Sequence, residues 1–336
     1  MRLWRHRGLA AVVAGLLLCA SCRFGRPLTP PDTSTAPSTV STVATTARPT
    51  TIPAPAFEPT SEVAGLTRSM SDEGKRLFYG ARPEVLEMAP FAAVCPKAEH
   101  GNVLGCFTGT RIYILRVPRP ELVGVMETTA VHEMLHAAYS ALPPRERSRI
   151  DGLVGDLYAG VKDRELQELV ASYEISEPGQ RLNELHSLLP TQVRSLNPAL
   201  EAHYRRYLTS RLKVVDAYEG YRGTLEQLEG RIDALNAELG VSKTQLAAME
   251  ARLAADEAAL EELNRRLEQL KAQGKVKEFN QLIPQQNEQV RALRALADQH
   301  NQLVSAHNAK VQELNGLALE QDQLVDSLGG GRPAPP

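Results

Sequence analysis

A heptad repeat in the C-terminal third is the feature that most narrows the folds open to this chain. Apolar residues recur every seven positions over two long stretches, and further apolar residues lie three positions later, which is the a and d pattern of a coiled coil. A Gly-containing break at 273–275 separates the two stretches. The a positions are Leu225, Ile232, Leu239, Leu246, Leu253, Leu260 and Leu267, then Ile283, Val290, Ala297, Val304, Val311, Ala318 and Val325.

The two stretches are about equal in length, which favours an antiparallel helical hairpin with arms of about 75 Å. An intermolecular coiled coil is the alternative, and in either form the coil offers a surface to a protein partner. His300 and His307 fall on d positions of the second arm. Polar residues at such positions commonly set the register, and a second metal site is the other reading of these two.

A His-Glu-x-x-His motif stands in the middle of the chain, in a segment without Gly or Pro that we predict to be an amphipathic helix. Residues four apart share one face of a helix, so His132 and His136 can offer their imidazole nitrogens to one ion. Glu133 then stands where it can hold a water molecule and take its proton. The motif therefore predicts a metal site with hydrolytic chemistry.

The first 22 residues have the pattern of a signal peptide. A basic start precedes the apolar run from Leu9 to Ala20, which is too short to span a bilayer comfortably. Small residues then lead to Cys22, as in the lipobox of bacterial lipoproteins, although Cys19 occupies a position where that pattern usually has an aliphatic residue. We expect an extracytoplasmic protein held to the membrane by a lipid on Cys22, with plain secretion as the alternative.

Composition divides the rest of the chain. Residues 23–60 are rich in Pro, Thr and Ser, and cannot bury enough apolar surface to order, so they predict a disordered tether. We place a globular domain at 61–210, the helical hairpin at 211–328 and a flexible tail at 329–336. The net charge of −2 provides no basic field for nucleic acid, and no nucleic-acid partner is expected.

Within the globular region, the pattern predicts mainly helices and one β-hairpin. We expect a helix capped by Ser71 that stops near Gly80, a short helix after Pro83, and a strand or packed loop at 91–95. Runs at 103–107 and 111–116 around Thr108-Gly109-Thr110 predict the β-hairpin. The motif helix should start near Glu121 and end before Pro143-Pro144. Helices are expected at 145–159, 162–174 and 179–189, and another should run without a break from Pro198 into the heptads.

Cys95 and Cys106 remain once Cys19 and Cys22 are assigned to the signal. An even pair in an oxidising compartment predicts a disulfide, worth about 2–3 kcal/mol for a loop of this size. Zinc binding by this pair is less consistent with the sequence, because the Cys-x-x-Cys spacing is absent.

The order of a β-hairpin, a His-Glu-x-x-His helix and a later helix bearing Asn183-Glu184 resembles the small members of the gluzincin zinc metallopeptidases. The resemblance covers about residues 70–210. It implies that one zinc ion is bound by the two His and a downstream Glu, that Glu133 is the general base, and that a strand edge binds the substrate backbone. The metzincin pattern fails, because it requires Gly and His where this chain has Tyr139 and Leu142.

The third metal ligand has several candidates. The resemblance places Glu184 first, although it follows His136 by 48 residues, which exceeds the spacing of about 20 common in that family. Asp156 stands at the shorter spacing, and Glu174 and His186 are further candidates. His203 and Tyr204, by residue type, are candidate donors to an oxyanion.

The sequence therefore predicts a mainly α chain: an α+β zincin-like domain followed by a long antiparallel coiled-coil hairpin. The expected function is that of a membrane-anchored, zinc-dependent metalloendopeptidase that acts on peptide or protein substrates. The alternative function is that of a cell-envelope scaffold or adaptor, whose coiled coil binds partners and whose metal domain is structural or inactive.

Overall fold

The computed structural model describes residues 57–95, 104–176 and 178–329. The expected signal peptide with Cys22, nearly all of the tether and residues 330–336 of the tail lie outside these ranges, and those expectations stay predictions. Across the described ranges the chain is mainly helical with one small sheet. No helix among these residues combines the length and apolar character that crossing a bilayer requires.

The chain opens with helices α1 (Ser61–Gly65) and α2 (Asp72–Gly80). The hydroxyl oxygen of Ser71 accepts a hydrogen bond from the amide of Gly74, so the predicted cap and the predicted end of α2 are both confirmed. The helix expected after Pro83 is wrong. Residues Glu84–Leu86 form strand β1, because their backbone pairs with a strand about thirty residues later. No pattern in the local sequence indicates this partner.

Helix α3 (Met88–Val94) occupies the place where a strand or packed loop was expected, so that expectation is also wrong. Within this helix the ring of Phe91 is buried, with 2 % of its surface exposed. The sulfur atoms of Cys95 and Cys106 lie at disulfide distance, with their Cα atoms 6.0 Å apart. This pair ties the end of α3 to the second strand of the sheet.

Strands β2 (Gly105–Phe107) and β3 (Ile112–Leu115) form the predicted antiparallel hairpin. The turn is closed by a hydrogen bond from the amide of Thr108 to the carbonyl of Arg111, and Gly109 adopts φ +87°. The sheet order is β1-β3-β2, with β1 parallel to β3. Ile112 and Ile114 are fully buried in the core on which the sheet packs.

Five helices lie along the chain between the sheet and the two long C-terminal helices: α4 (Val125–Ser140), α5 (Pro144–Ala159), α6 (Arg164–Ser176), α7 (Arg181–Gln192) and α8 (Pro198–Tyr204). A short 3-10 turn, Pro120–Leu122, precedes α4, which begins at Val125 rather than near Glu121. Helix α4 is not amphipathic as expected, because it is buried on nearly every side. Its buried residues are Val125, Thr128, Thr129, Ala130, Val131, His132, Glu133, Met134, Leu135, His136 and Ala138.

The helix that begins at Pro198 does not continue into the heptads, so that expectation is wrong. It ends at Tyr204, and the chain forms a non-helical link at 205–210 before helix α9 (Arg211–Ala272). In this link, the carbonyl of Tyr207 accepts the amide of Ser71 at 2.8 Å, and Leu208 forms an isolated β-bridge with Met70. A long-range backbone pairing therefore replaces one turn of helix.

Helices α9 and α10 (Val276–Ser327) pack together, joined by a turn in which Gly274 adopts φ +69°. Residues 225–323 form one compact unit. Within it, side chains of α9 pair with side chains of α10, and as the residue number of the α9 partner increases, that of the α10 partner decreases. The pairs are Arg231 with Glu313, Glu238 with Lys310, Ser242 with His307, Glu250 with His300, and Asn264 with Gln286.

The other compact unit holds the described residues up to Thr224 together with the last ones, 324–329. Leu324 and Leu328 are each 1 % exposed, and Gly329 lies against Met88 and Leu115. Residues 324–329 therefore belong to the globular core.

Arg211, the first residue of α9, is the buried cation of this unit, with a side chain that is 5 % exposed. Its guanidinium donates to the carbonyls of Pro190, Val193 and Arg194 at 3.2, 2.6 and 2.6 Å. It also forms an ion pair with Glu201 at 2.6 Å. The end of α7 and the helix α8 are thereby joined to the start of α9.

Replacing Arg211 by Ala should lower the free energy of unfolding by about 3 kcal/mol or more, because buried carbonyls and a carboxylate lose their donor. Urea unfolding would measure the change. Arg194→Ala is the matched control: Arg194 binds Asp216 and Glu219 on the surface, with a side chain that is 50 % exposed. Its loss should leave stability near wild type, and equal effects of the two substitutions would contradict the assignment.

Candidate metal centre

Two helices bring three potential metal donors together. His132 and His136 lie one turn apart on α4, and Glu184 faces them from α7. The Nε2 atoms of the two imidazoles are 2.9 Å apart. The Oε2 atom of Glu184 lies 3.6 Å from Nε2 of His132, and its Oε1 atom lies 3.6 Å from Nε2 of His136. All three side chains are fully buried, and they form a group that can hold a metal ion.

The spacing and chemistry of these donors fit a zinc ion. Two ligands of a tetrahedral zinc ion, each about 2.0–2.1 Å from the metal, lie about 3.3 Å apart. The three donor separations, 2.9 Å and twice 3.6 Å, bracket that value. Imidazole nitrogen and carboxylate oxygen are also donors that zinc accepts in proteins.

The orientation of His136 is set by Asn183, the residue before Glu184. The Nδ1 atom of His136 lies 3.0 Å from the Oδ1 atom of Asn183 and 3.4 Å from the Oγ atom of Ser187. The Asn183 amide nitrogen in turn donates to Gln180. Because Nδ1 of His136 donates its proton to Asn183, its Nε2 keeps a lone pair directed at the other donors.

Burial keeps both histidines of the centre neutral. The pKa of His132 lies well below its usual range, and burial is the largest cause. Repulsion from the positive charge that His136 and His186 can carry lowers this pKa further. Burial lowers the pKa of His136 to about 4, against a smaller opposite effect of its bond to Asn183. Neutral imidazoles are the form that binds metal ions.

Glu133 points to the sheet side of α4. Its side chain is fully buried, and the closest strand is β2, where Gly105 lies directly against it. A Cβ atom placed on Gly105 would be 2.9 Å from Oε1 of Glu133. The side chains of the motif therefore lie on different faces of the helix, with the histidines toward α7 and the carboxylate toward β2.

A second pair of histidines lies behind the centre, and the sequence analysis missed this pairing. The Nε2 atoms of His186 and His203 are 2.9 Å apart. The hydroxyl of Tyr204 donates to the backbone carbonyl of His186 at 3.0 Å. The oxyanion role expected for His203 and Tyr204 stays a prediction, and both side chains already have partners on α7. A contact between residues 17 apart leaves no periodic signal in a sequence.

The other candidate ligands lie elsewhere. Asp156 is exposed on α5, and Glu174 is exposed on α6, where it pairs with Arg181 at 2.9 Å. In the second compact unit, His307 bonds Ser242 at 2.6 Å and His300 lies 3.6 Å from Glu250. The sequence did not predict that Asn183 and Ser187 would contact the His136 ring, although Asn183 belongs to the Asn-Glu pair that indicated Glu184.

The centre is closed to solvent. His132, Glu133, His136 and Glu184 each have 0 % exposed area. A molecule from solvent can therefore reach them only after residues that cover the centre move.

His203 should make stability depend on pH. Burial is the first cause that lowers its pKa to about 4, followed by the charge of Arg206, whereas an unfolded histidine titrates near 6.5. Between these values the unfolded chain binds a proton that the folded chain does not. The free energy of unfolding should therefore fall as the pH drops from about 6.5 to about 4, by at most about 3 kcal/mol from this group.

His203→Gln removes this group and should flatten the dependence. Urea unfolding of the metal-free protein at several pH values in this window, for wild type and variant, would measure the difference in slope. Identical slopes would mean that His203 titrates in the folded protein as it does in the unfolded chain.

Comparison with known proteins identified no relative of this chain. No family model, no curated protein and no solved structure matches this chain.

Proposed function

We propose that this chain is an extracytoplasmic zinc-dependent metalloendopeptidase. The observation that carries the proposal is the convergence of His132, His136 and Glu184 on one point, with Glu133 next to the first of them on the same helix. The choice of a peptide bond as substrate rests on the resemblance of this arrangement to the gluzincins. A zinc ion in such a site activates a water molecule and polarises the carbonyl that the water attacks.

The remaining steps belong to residues of the chain. Glu133 accepts the proton of the attacking water and passes it to the nitrogen of the departing amine. Asn183 and Ser187 hold the His136 ring so that Nε2 faces the metal donors. The surrounding core excludes bulk water, which strengthens the interaction of the Glu133 carboxylate with developing positive charge.

The two long helices, in the same proposal, form an antiparallel coiled-coil hairpin within one chain. Five side-chain pairs whose numbers run in opposite directions support this arrangement. The hairpin acts as a spacer or as a docking arm for a protein partner. A chain that sediments as a dimer through these helices would contradict it.

Attachment of the protein to the membrane through a lipid on Cys22 is part of the proposal, on the grounds of the lipobox-like signal alone. The measurement is incorporation of a labelled fatty acid by cells that produce the protein. Equal labelling of wild type and Cys22→Ala would contradict the anchor.

A second function is favoured by one observation, the complete burial of the centre. Structural zinc sites are closed, whereas catalytic sites keep a position open for water. In this alternative the metal stabilises the globular unit, and the helical hairpin acts as an envelope scaffold. The two functions make different demands on Glu133, which only the enzyme requires.

Glu184→Gln should abolish stoichiometric zinc binding, because the carboxylate completes the donor set. The measurement is zinc content by atomic spectroscopy after purification without added chelator. Asp156→Asn is the matched control, since Asp156 is an exposed acid at the rival spacing, and this variant should keep one zinc ion per chain. Retention of zinc by the Glu184 variant, or its loss from the Asp156 variant, would refute the assignment.

Glu133→Gln should keep zinc and lose proteolysis. Gln has nearly the size of Glu but cannot accept the proton, and loss of a general base typically costs about 100- to 10,000-fold in rate. Cleavage of fluorescein-labelled casein, with zinc content measured in parallel, tests this expectation. A wild type that binds zinc and cleaves no peptide bond would favour the structural alternative.

A further inference from the structure

Gly105 of β2 lies where the sheet meets α4, and it has no room for a side chain. A Cβ atom on this residue would lie 2.6 Å from Cγ2 of Thr129 and 2.9 Å from both Cγ and Oε1 of Glu133. Its φ angle is not in the left-handed range, so the backbone conformation itself is open to any residue. Space, rather than conformation, therefore requires glycine at this position.

The groups around Gly105 differ in how readily they can move. Thr129 is β-branched and stiff on a helix, and its hydroxyl is bound to the carbonyl of Val125 at 2.8 Å. Strand β2 is held by its pairing with β3, and Cys106 is linked to Cys95. The carboxylate of Glu133 ends a longer, more flexible side chain, so it is the group that gives way when this space is filled.

We propose that Gly105 is a positioning residue for Glu133, and that the absence of a side chain at 105 is what allows the Glu133 carboxylate to take its working position. The proposal rests on the assigned function of Glu133 as general base. The three atoms nearest to the added Cβ belong to Thr129 and Glu133, not to the donors His132, His136 and Glu184. Filling this space therefore displaces the base and spares the metal donors.

Gly105→Ala should keep one zinc ion per chain and lower kcat for casein about a hundredfold, the scale expected for a displaced catalytic group. Its melting temperature should also fall, because Thr129 is crowded. Adding Thr129→Ser removes Cγ2 and keeps the hydroxyl, so Gly105→Ala/Thr129→Ser should regain melting temperature while kcat stays low. Gly152→Ala is the matched control: Gly152 is exposed on α5 with no atom near an added Cβ, and its activity should equal wild type.

A second measurement is independent of activity. In metal-free protein, Gly105→Ala should lower the melting temperature more when residue 133 is Glu than when it is Ala. The Glu133→Ala background lacks Cγ and Oε1 of Glu133, the two atoms of that side chain that the new Cβ would crowd. Wild-type kcat in Gly105→Ala, loss of its zinc, or recovery of kcat together with stability in the Thr129→Ser double variant would each overturn the proposal. An equal fall in melting temperature in both backgrounds would overturn it too.

A wild type that neither binds zinc nor cleaves casein would instead refute the proposed function. In that case the melting-temperature comparison alone decides whether Gly105 makes room for the Glu133 side chain. Failure of the function and failure of this inference are therefore distinguishable.

Discussion

Two imidazoles and two carboxylates lie together in the interior with no exposed area, and removing such groups from water is unfavourable unless they find partners. The surrounding fold supplies them. Asn183 and Ser187 bind one imidazole, and the Glu184 carboxylate faces both. A divalent cation at the shared point would compensate the negative charge more completely than any of these contacts. The packing of α7 against α4 therefore brings the donors together and also buries negative charge that a bound cation would offset.

This arrangement explains why α4 is buried on nearly every side. One face must meet α7 to assemble the donors, and another must meet β2 to hold Glu133. A helix that packs on two faces has little surface left for solvent. The amphipathic pattern expected of a surface helix is therefore absent, and polar residues of α4 such as His132, Glu133 and His136 are buried.

Local signals in the sequence predicted local structure well. The Ser71 cap, the β-hairpin and the long helices with a turn at 273–275 are present, because short-range spacing determines each of them. Strand β1 and the break after Tyr204 were not predictable in this way. Each depends on backbone pairing with a distant segment, β3 in one case and residues 69–71 in the other.

The candidate site shows the same division. His132 and His136 share a face because of helical spacing alone, and this could be read from the sequence. The choice between Glu184 and Asp156 depended on which helix folds over α4, and spacing along the chain favoured Asp156, which the structure leaves exposed, whereas Glu184 lies with the two histidines. The Gly105 contact and the His186–His203 pair join separate elements, so no pattern within one element indicates them.

The burial of Leu324 and Leu328 has a consequence for the order in which this protein can mature. These residues are made after the two long helices, yet they belong to the same compact unit as the sheet and the candidate centre. During synthesis or export from the N-terminus, the core of the globular unit is therefore complete only after both long helices have been made. A prematurely terminated chain would carry the complete motif in an unfinished core. The position of these two leucines thus couples completion of the core to synthesis of the long helices that precede them.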